Sequence, residues 1–194
     1  HGRKADIVQE RKHIRRGVKT MKLLEMMQNR RSVRQYTKEP IPEKLLTEIV
    51  QAGLLSASGR GLRPWELIVV RDKEMLLKLS ECRAGAAKML ANAAAAIVVI
   101  GDSELSDTWI EDCSIVLSNM HLMADSLGVG SCWIQGRLRR TPEEETTEEY
   151  VRRCLGFPEK FRLEAILSLG MPAAHGAGTE LSALPMEKVH DGKF

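Results

Sequence analysis

Residues 30 to 36, RRSVRQY, place Arg30, Arg31 and Arg34 within five positions and set Ser32 between them. Guanidinium groups this close repel one another, so the crowding persists where water screens it or where an anion is shared. A phosphate needs several converging donors: forked guanidiniums for bidentate bonds, and a hydroxyl or backbone N–H for the remaining lone pairs. Extended chain sends alternate side chains to opposite faces, so Arg30, Ser32 and Arg34 share one face while Arg31 and Val33 leave by the other. Three readings stand at this point: a solvated helix end, a nucleic-acid patch, or a cradle for a small anion.

Charge distribution weighs against the second. The net charge is +3, but residues 1–20 hold seven Lys/Arg against two Asp/Glu, a balance of +5, so residues 21–194 sum to −2. A nucleic-acid binder is expected to carry its basic face on the folded part. Residues 1–20 read as a basic N-terminal extension, and residues 21–194 as one domain whose hydrophobic content suffices for a single core. The longest apolar run, LANAAAAIVVI at 90–100, is too short to span a bilayer. With no secretory pattern at the start, the expectation is a cytoplasmic protein. Cys82, Cys113, Cys132 and Cys154 form no CxxC and no cluster with histidine, so no metal site is expected and reduced thiols fit that compartment.

The positioning elements follow from periodicity. MKLLEMMQ (21–28) predicts a short helix that gives way to extended chain at the arginines. EPIPEKLLTEIVQAGLLSA predicts a helix with proline in its first turn, and the glycine-rich loop SASGRGLRPW leads into the strand ELIVV. DKEMLLKLSE and GAAKMLANAAA predict two further helices, the second feeding the strand AIVVI. Residues 109–128 predict the longest helix, with Cys113, Val116, Leu117, Met120, Ala124 and Leu127 at helical spacing and Gly128 as its C-terminal stop. SCWI is a short strand. TPEEETTEEYVRRCLG predicts a helix with Thr141 as N-cap, Pro142 at the first position and Glu144 closing a capping box. EAILSLGMP is the last strand, and the remaining residues are an extended arm. Helices outnumber strands and separate them, so the class is α+β or α/β.

Four stretches in this order, RRSVRQY, EPIPEKLLTEIVQAGLLSASGRGLRPWELIVV, WIEDCSIVLSNMHLMADSLGVGSCWIQG and LGFPEKFRLEAILSLGMP, resemble the nitroreductase family over residues 21–173. The resemblance implies an α+β fold, with a central mixed or antiparallel sheet flanked by helices, in an intertwined homodimer with an extended C-terminal arm. It also implies an FMN flavoprotein, an oxidoreductase that takes electrons from NAD(P)H and passes them in ping-pong fashion to nitroaromatics, quinones or similar small acceptors. Arg30, Arg31, Ser32 and Arg34 match the basic motif that holds the FMN phosphate and ribityl chain. Ser58, Gly59, Arg60 and Gly61 match a serine–glycine loop that approaches the flavin from the partner subunit. Trp133, Ile134, Gln135 and Gly136 match the backbone stretch along the isoalloxazine, where Gln135 or Gly136 supplies an N–H to N5. The final HDGKF resembles a terminal arm that makes Lys193 a phosphate contact.

The chain departs from the family pattern at Ala57, Gly61 and Arg63, which stand where proline, asparagine and glutamine are usual. An arginine at 63 keeps donors for the pyrimidine carbonyls, and Arg63 or Arg30 supplies the positive charge that favours reduced flavin. No catalytic side chain is required, because the flavin does the chemistry. Trp65, Trp133, Met120 and Met123 read as packing residues, His121 as a satisfied packing or interface residue, and Cys132 as a buried filler. Other classes lead to different expectations. A flavin-storing protein would bind FMN without oxidising NAD(P)H, a relative with altered chemistry would dehydrogenate or degrade its substrate, and a nucleic-acid module would be colourless.

Overall fold

The computed structural model describes residues 23–194; the basic extension and the first two residues of the first expected helix lie outside that range. Four strands form one antiparallel sheet in the order β1-β2-β4-β3, with β1 Trp65–Val70, β2 Ala95–Asp102, β3 Gly130–Gln135 and β4 Phe161–Gly170. β2 is buried throughout and β4 from Leu163 onward. Central strands covered on both faces have no solvent side on which to alternate, so both read as continuous apolar runs.

Alternation survives in which layer each residue meets. Ile97, Val99, Ala165 and Leu167 pack with Ile49, Val116, Leu117 and Met120, from α2 (Glu43–Leu54) and α4 (Trp109–Ser126). Val98, Ile100, Leu163 and Ile166 pack on the other face with Leu76 and Leu79 of α3 (Lys73–Leu79) and Val151 of α5 (Thr147–Leu155). The long helix packs tightly on the sheet at Gly101, where a Cβ would lie 2.7 Å from the Trp109 ring and 2.9 Å from Cys113 Sγ. The first helix, α1 (Leu23–Asn29), ends immediately before the arginines.

Two local expectations are corrected. The capping box is Thr146 with Glu149, not Thr141 with Glu144. Residues 141–145 form a turn instead, with Glu144 at φ 68° and its N–H bonded to the Thr141 carbonyl. Both pairs fit the capping spacing, but a helix begun at Thr146 buries Thr147 and Val151 against the sheet layer. Arg152 pairs with Glu148 as spacing suggests, whereas Arg153 reaches Glu145 rather than Glu149. The alanine-rich segment before β2 is a single 3₁₀ stretch, Lys88–Asn92, rather than an α-helix. Lys73 Nζ holds the Ala93 carbonyl at 2.9 Å, and Ala95 and Ala96 enter the sheet, so strand pairing overrides alanine's helix preference.

Beyond β4 the chain runs back along residues 28–35, with Ala173 N–H bonded to the Gln35 carbonyl and Thr179 N–H to that of Gln28. Residues 180–194 are exposed and carry two short 3₁₀ turns, with Leu181, Leu184, Met186, Val189 and Phe194 open to solvent. Among the described residues no helix is long and apolar enough to cross a membrane.

Candidate functional site

The site is organised by the outer edge of β3. In an antiparallel pair, residues alternate between bonding the partner strand and facing away from it. Gly136 donates its N–H to the Glu164 carbonyl at 3.1 Å, which places even-numbered residues of β3 toward β4. Odd-numbered residues face the open edge, and at the start of the strand that edge is taken by the arginine segment: Val33 N–H bonds the Ser131 carbonyl at 2.9 Å beside a Ser32–Ser131 bridge. Gln135, two steps past Trp133, therefore turns its amide outward. Of the two candidate backbone donors, Gly136 is spent within the sheet and Gln135 is the one aimed away from it.

Arg30 stands at the end of α1 and points to α4. Its Nη1 lies 2.9 Å from His121 Nε2, and His121 Nδ1 lies 2.6 Å from Ser131 Oγ. A guanidinium only donates, so Nε2 must carry the lone pair and the ring proton sits on Nδ1, donated to the serine. His121 is thus a neutral acceptor that fixes Arg30. Burial, seconded by the Arg30 charge, lowers its pKa from 6.5 to about 4. Ser32 and Arg34 converge near the Cys132 thiol; burial raises that thiol's pKa, while the charge of Arg34 and hydrogen bonds from both residues oppose the rise. Arg31 turns the other way, to Thr179 Oγ1 at 3.2 Å, and its own N–H is held by Asp125, which also takes His175 at 2.8 Å. The contacts set Arg31 apart from the other two arginines, but they do not gather Arg30, Ser32 and Arg34 on one face: Arg30 engages the Ser131 side of β3 through His121, whereas Ser32 and Arg34 meet Cys132, the next residue of the strand, whose side chain points the other way.

The Ser58–Arg63 loop is tied to the start of α4. Asp112, buried, accepts the Gly59 N–H at 2.8 Å and the Thr108 hydroxyl at 3.2 Å. A Cβ on Gly59 would meet Thr108 Oγ1 at 2.5 Å, so glycine is required by close approach. Ser58 Oγ accepts the Arg63 N–H at 3.0 Å. Arg60, Gly61 and Arg63 have φ of 53°, 71° and 51°; two non-glycine residues in that region mark stored strain. Arg60 meets Asp107 in an exposed pair, while Arg63 projects into solvent. Among the described residues no hydrogen bond joins this loop to Arg30–Arg34 or to Gln135. Lys193 lies in the exposed terminal segment, also without a hydrogen bond to them.

Behind Gln135 lies a group that sequence reasoning passed over. The β2–β4 register slips between Val99 and Ile100, leaving Glu164 without a partner residue on β2. A bulge re-aims its residue, and Glu164 reaches both Gln135 Nε2 and Ser114 Oγ at 3.4 Å. Its Oε2 has no partner among the described residues, the residue is 3% exposed, and burial raises its pKa. Gln135 Oε1 in turn accepts Trp133 Nε1–H at 2.9 Å, so the two side chains brace each other along the strand. A carboxylate inside the apolar strand LEAILSLG and an aspartate on the apolar face of α4 were the available signals for Glu164 and Asp112.

A model of the nitroreductase family matches residues 27–87 and 75–171. A protein of Archaeoglobus fulgidus with the provisional name NADH dehydrogenase/NAD(P)H nitroreductase is 41% identical over 77% of this chain and 84% of its own length. The structure is similar to that of an FMN-dependent nitroreductase from Clostridium difficile, with 42% identity, a TM-score of 0.85, and coverage of 88% of this chain and 99% of the other. It also resembles an NADPH:FMN oxidoreductase from Vibrio harveyi complexed with NAD+, with 26% identity, a TM-score of 0.75, and coverage of 89% and 77%.

Proposed function

The chain belongs to the nitroreductase family, and from that premise we propose that it is an FMN-dependent oxidoreductase using NAD(P)H and working as a homodimer. The observation that carries the reading is a shared edge: the outward Gln135 N–H and the segment of residues 30–34 lie along the same outer edge of β3. That donor set suits FMN, with charged forks and a hydroxyl for a dianionic phosphate and a fixed N–H for a ring nitrogen. When bound, FMN supplies two-electron chemistry between a nicotinamide and an acceptor.

The chain's residues bind and orient. His121 holds the Arg30 fork, Ser32 adds its hydroxyl, and Arg34 adds charge. Arg31 secures the C-terminal segment against the cradle, and Lys193 belongs to the arm that closes it. The Gln135 N–H is held in place by the β3–β4 ladder and by the Trp133–Gln135–Glu164 brace. Ser58–Gly61 and Arg63 form a separate cluster in one chain, so a two-fold partner brings that loop to the site, with Arg63 near the pyrimidine edge. The exposed apolar residues of 181–194 suit an arm laid on that partner.

Donor and acceptor would use the same site in turn, with nitroaromatics and quinones as acceptors and the cytoplasm as the compartment. The test is anaerobic. Purified protein should be yellow, bleach with NADH or NADPH, and regain colour with a quinone or nitroaromatic. Bound FMN that neither nicotinamide reduces would leave a flavin-storing protein and overturn the enzymatic reading.

A further inference from the structure

A cavity of about 520 Å³ opens beside Gly136, one residue past the outward amide. Arg137, Arg139, Arg140 and Arg162 line it, with Trp109 and Leu138 among its apolar walls. Two carboxylates also border it, but both are engaged. Glu148 takes Arg152, Arg162 and the Leu163 N–H, and Glu149 closes the capping box with Thr146. The arginines keep spare donors: among the described residues the Arg139 side chain bonds only the carbonyl of the preceding Leu138, and Arg140 bonds the Glu144 carbonyl with that residue's carboxylate 4.0 Å away. Leu138 has φ of 57° and is 77% exposed. A bulky side chain held in that backbone region and left in water is a costly arrangement that a loop shaped for a ligand explains.

We infer that this cavity receives the phosphate-bearing part of the reduced nicotinamide donor, its phosphate held by the arginine forks and its sugar or base set against Trp109 and Leu138. The inference rests on the oxidoreductase reading and adds where the donor is gripped. Forked guanidiniums over an apolar wall match a nucleotide phosphate better than a neutral acceptor. Gly136 lines the cavity and directly follows Gln135, so a donor held there would lie beside the outward Gln135 N–H.

The test uses the flavin-loaded protein and the double variant Arg137→Ala/Arg139→Ala, which removes no tertiary side-chain hydrogen bond seen in the structure. kcat/KM is measured for NADPH, NADH and reduced nicotinamide riboside, which has no phosphate. The ratio of each dinucleotide to the riboside should fall about 10- to 100-fold, mainly through KM. A loss confined to NADPH assigns the 2′-phosphate, and an equal loss for both assigns the pyrophosphate. An unchanged ratio overturns the proposal, as does a variant that sheds its FMN, because the arginines would then belong to the flavin. Calorimetry with adenosine 2′,5′-bisphosphate decides the cavity independently of turnover. Binding weakened by the variant supports it, whereas absent binding, or binding the variant leaves intact, refutes it.

Discussion

Replacing His121 by leucine removes the acceptor that orients Arg30 while keeping an apolar side chain in a buried position. A hydrogen bond to a charged donor contributes about 1.5–3 kcal/mol, so losing it should weaken FMN binding about 10- to 100-fold. His121→Gln keeps an acceptor close to the Nε2 position and should recover most of that loss. The pH dependence has a definite sign. His121 has its pKa lowered from 6.5 to about 4, so between those values the unfolded chain binds the proton and the folded chain does not. Stability from this residue is full above pH 6.5 and falls on the order of 3 kcal/mol as pH drops to about 4. FMN affinity should hold until protonation sets an imidazolium against Arg30, and should break near the lower value. Fluorescence titration of FMN into the flavin-free protein across this range measures both effects. Leucine and wild-type proteins with matching affinity and matching pH profiles would refute the assignment of His121 as the residue that orients Arg30.

Asp112→Ala strips the buried acceptor from the Gly59 N–H and should cost about 1–3 kcal/mol, read as a lower Tm and as weaker FMN retention by the dimer; an unchanged Tm would mean that the loop is anchored elsewhere. Glu164 has its pKa raised by burial, so the folded state binds the extra proton and stability declines as pH rises through the folded value. Glu164→Gln should therefore gain on wild type as pH rises and differ little at acid pH, and parallel Tm profiles would contradict a carboxyl whose pKa burial raises. Gln135→Pro deletes the outward N–H and, like Gln135→Ala, the side-chain bonds to Trp133 and Glu164, so relative to the alanine variant it should fold with a similar Tm yet show a shifted flavin potential. A large loss of stability beyond that of the alanine variant would instead place that amide in the ladder.

Much of the scaffold was legible because burial imposes period. The recurrence of Val116, Leu117, Met120 and Ala124 revealed α4, and the apolar runs of β2 and β4 revealed strands, though not that both faces of each are covered. The arginine segment was legible as extended chain rich in donors, but which of residues 30–34 point together is settled by the strand it joins at Ser131. What escaped depends on long-range pairing. Two capping boxes fit TPEEETTEEYV locally, and only packing of Thr147 and Val151 chooses between them. Glu164 needed a register slip in a sheet whose strand order no local pattern reveals. His121 lies 91 positions from Arg30, and its tautomer follows from that partner alone.

FMN stoichiometry is the measurement that meets the central claim most directly. Wild-type protein, reconstituted and desalted, should retain close to one FMN per chain. Arg30→Ala/Arg34→Ala should fold with an unchanged circular dichroism spectrum and emerge nearly free of flavin. Tight FMN retention by that double variant would show that the arginine segment of residues 30–34 is not what grips the cofactor.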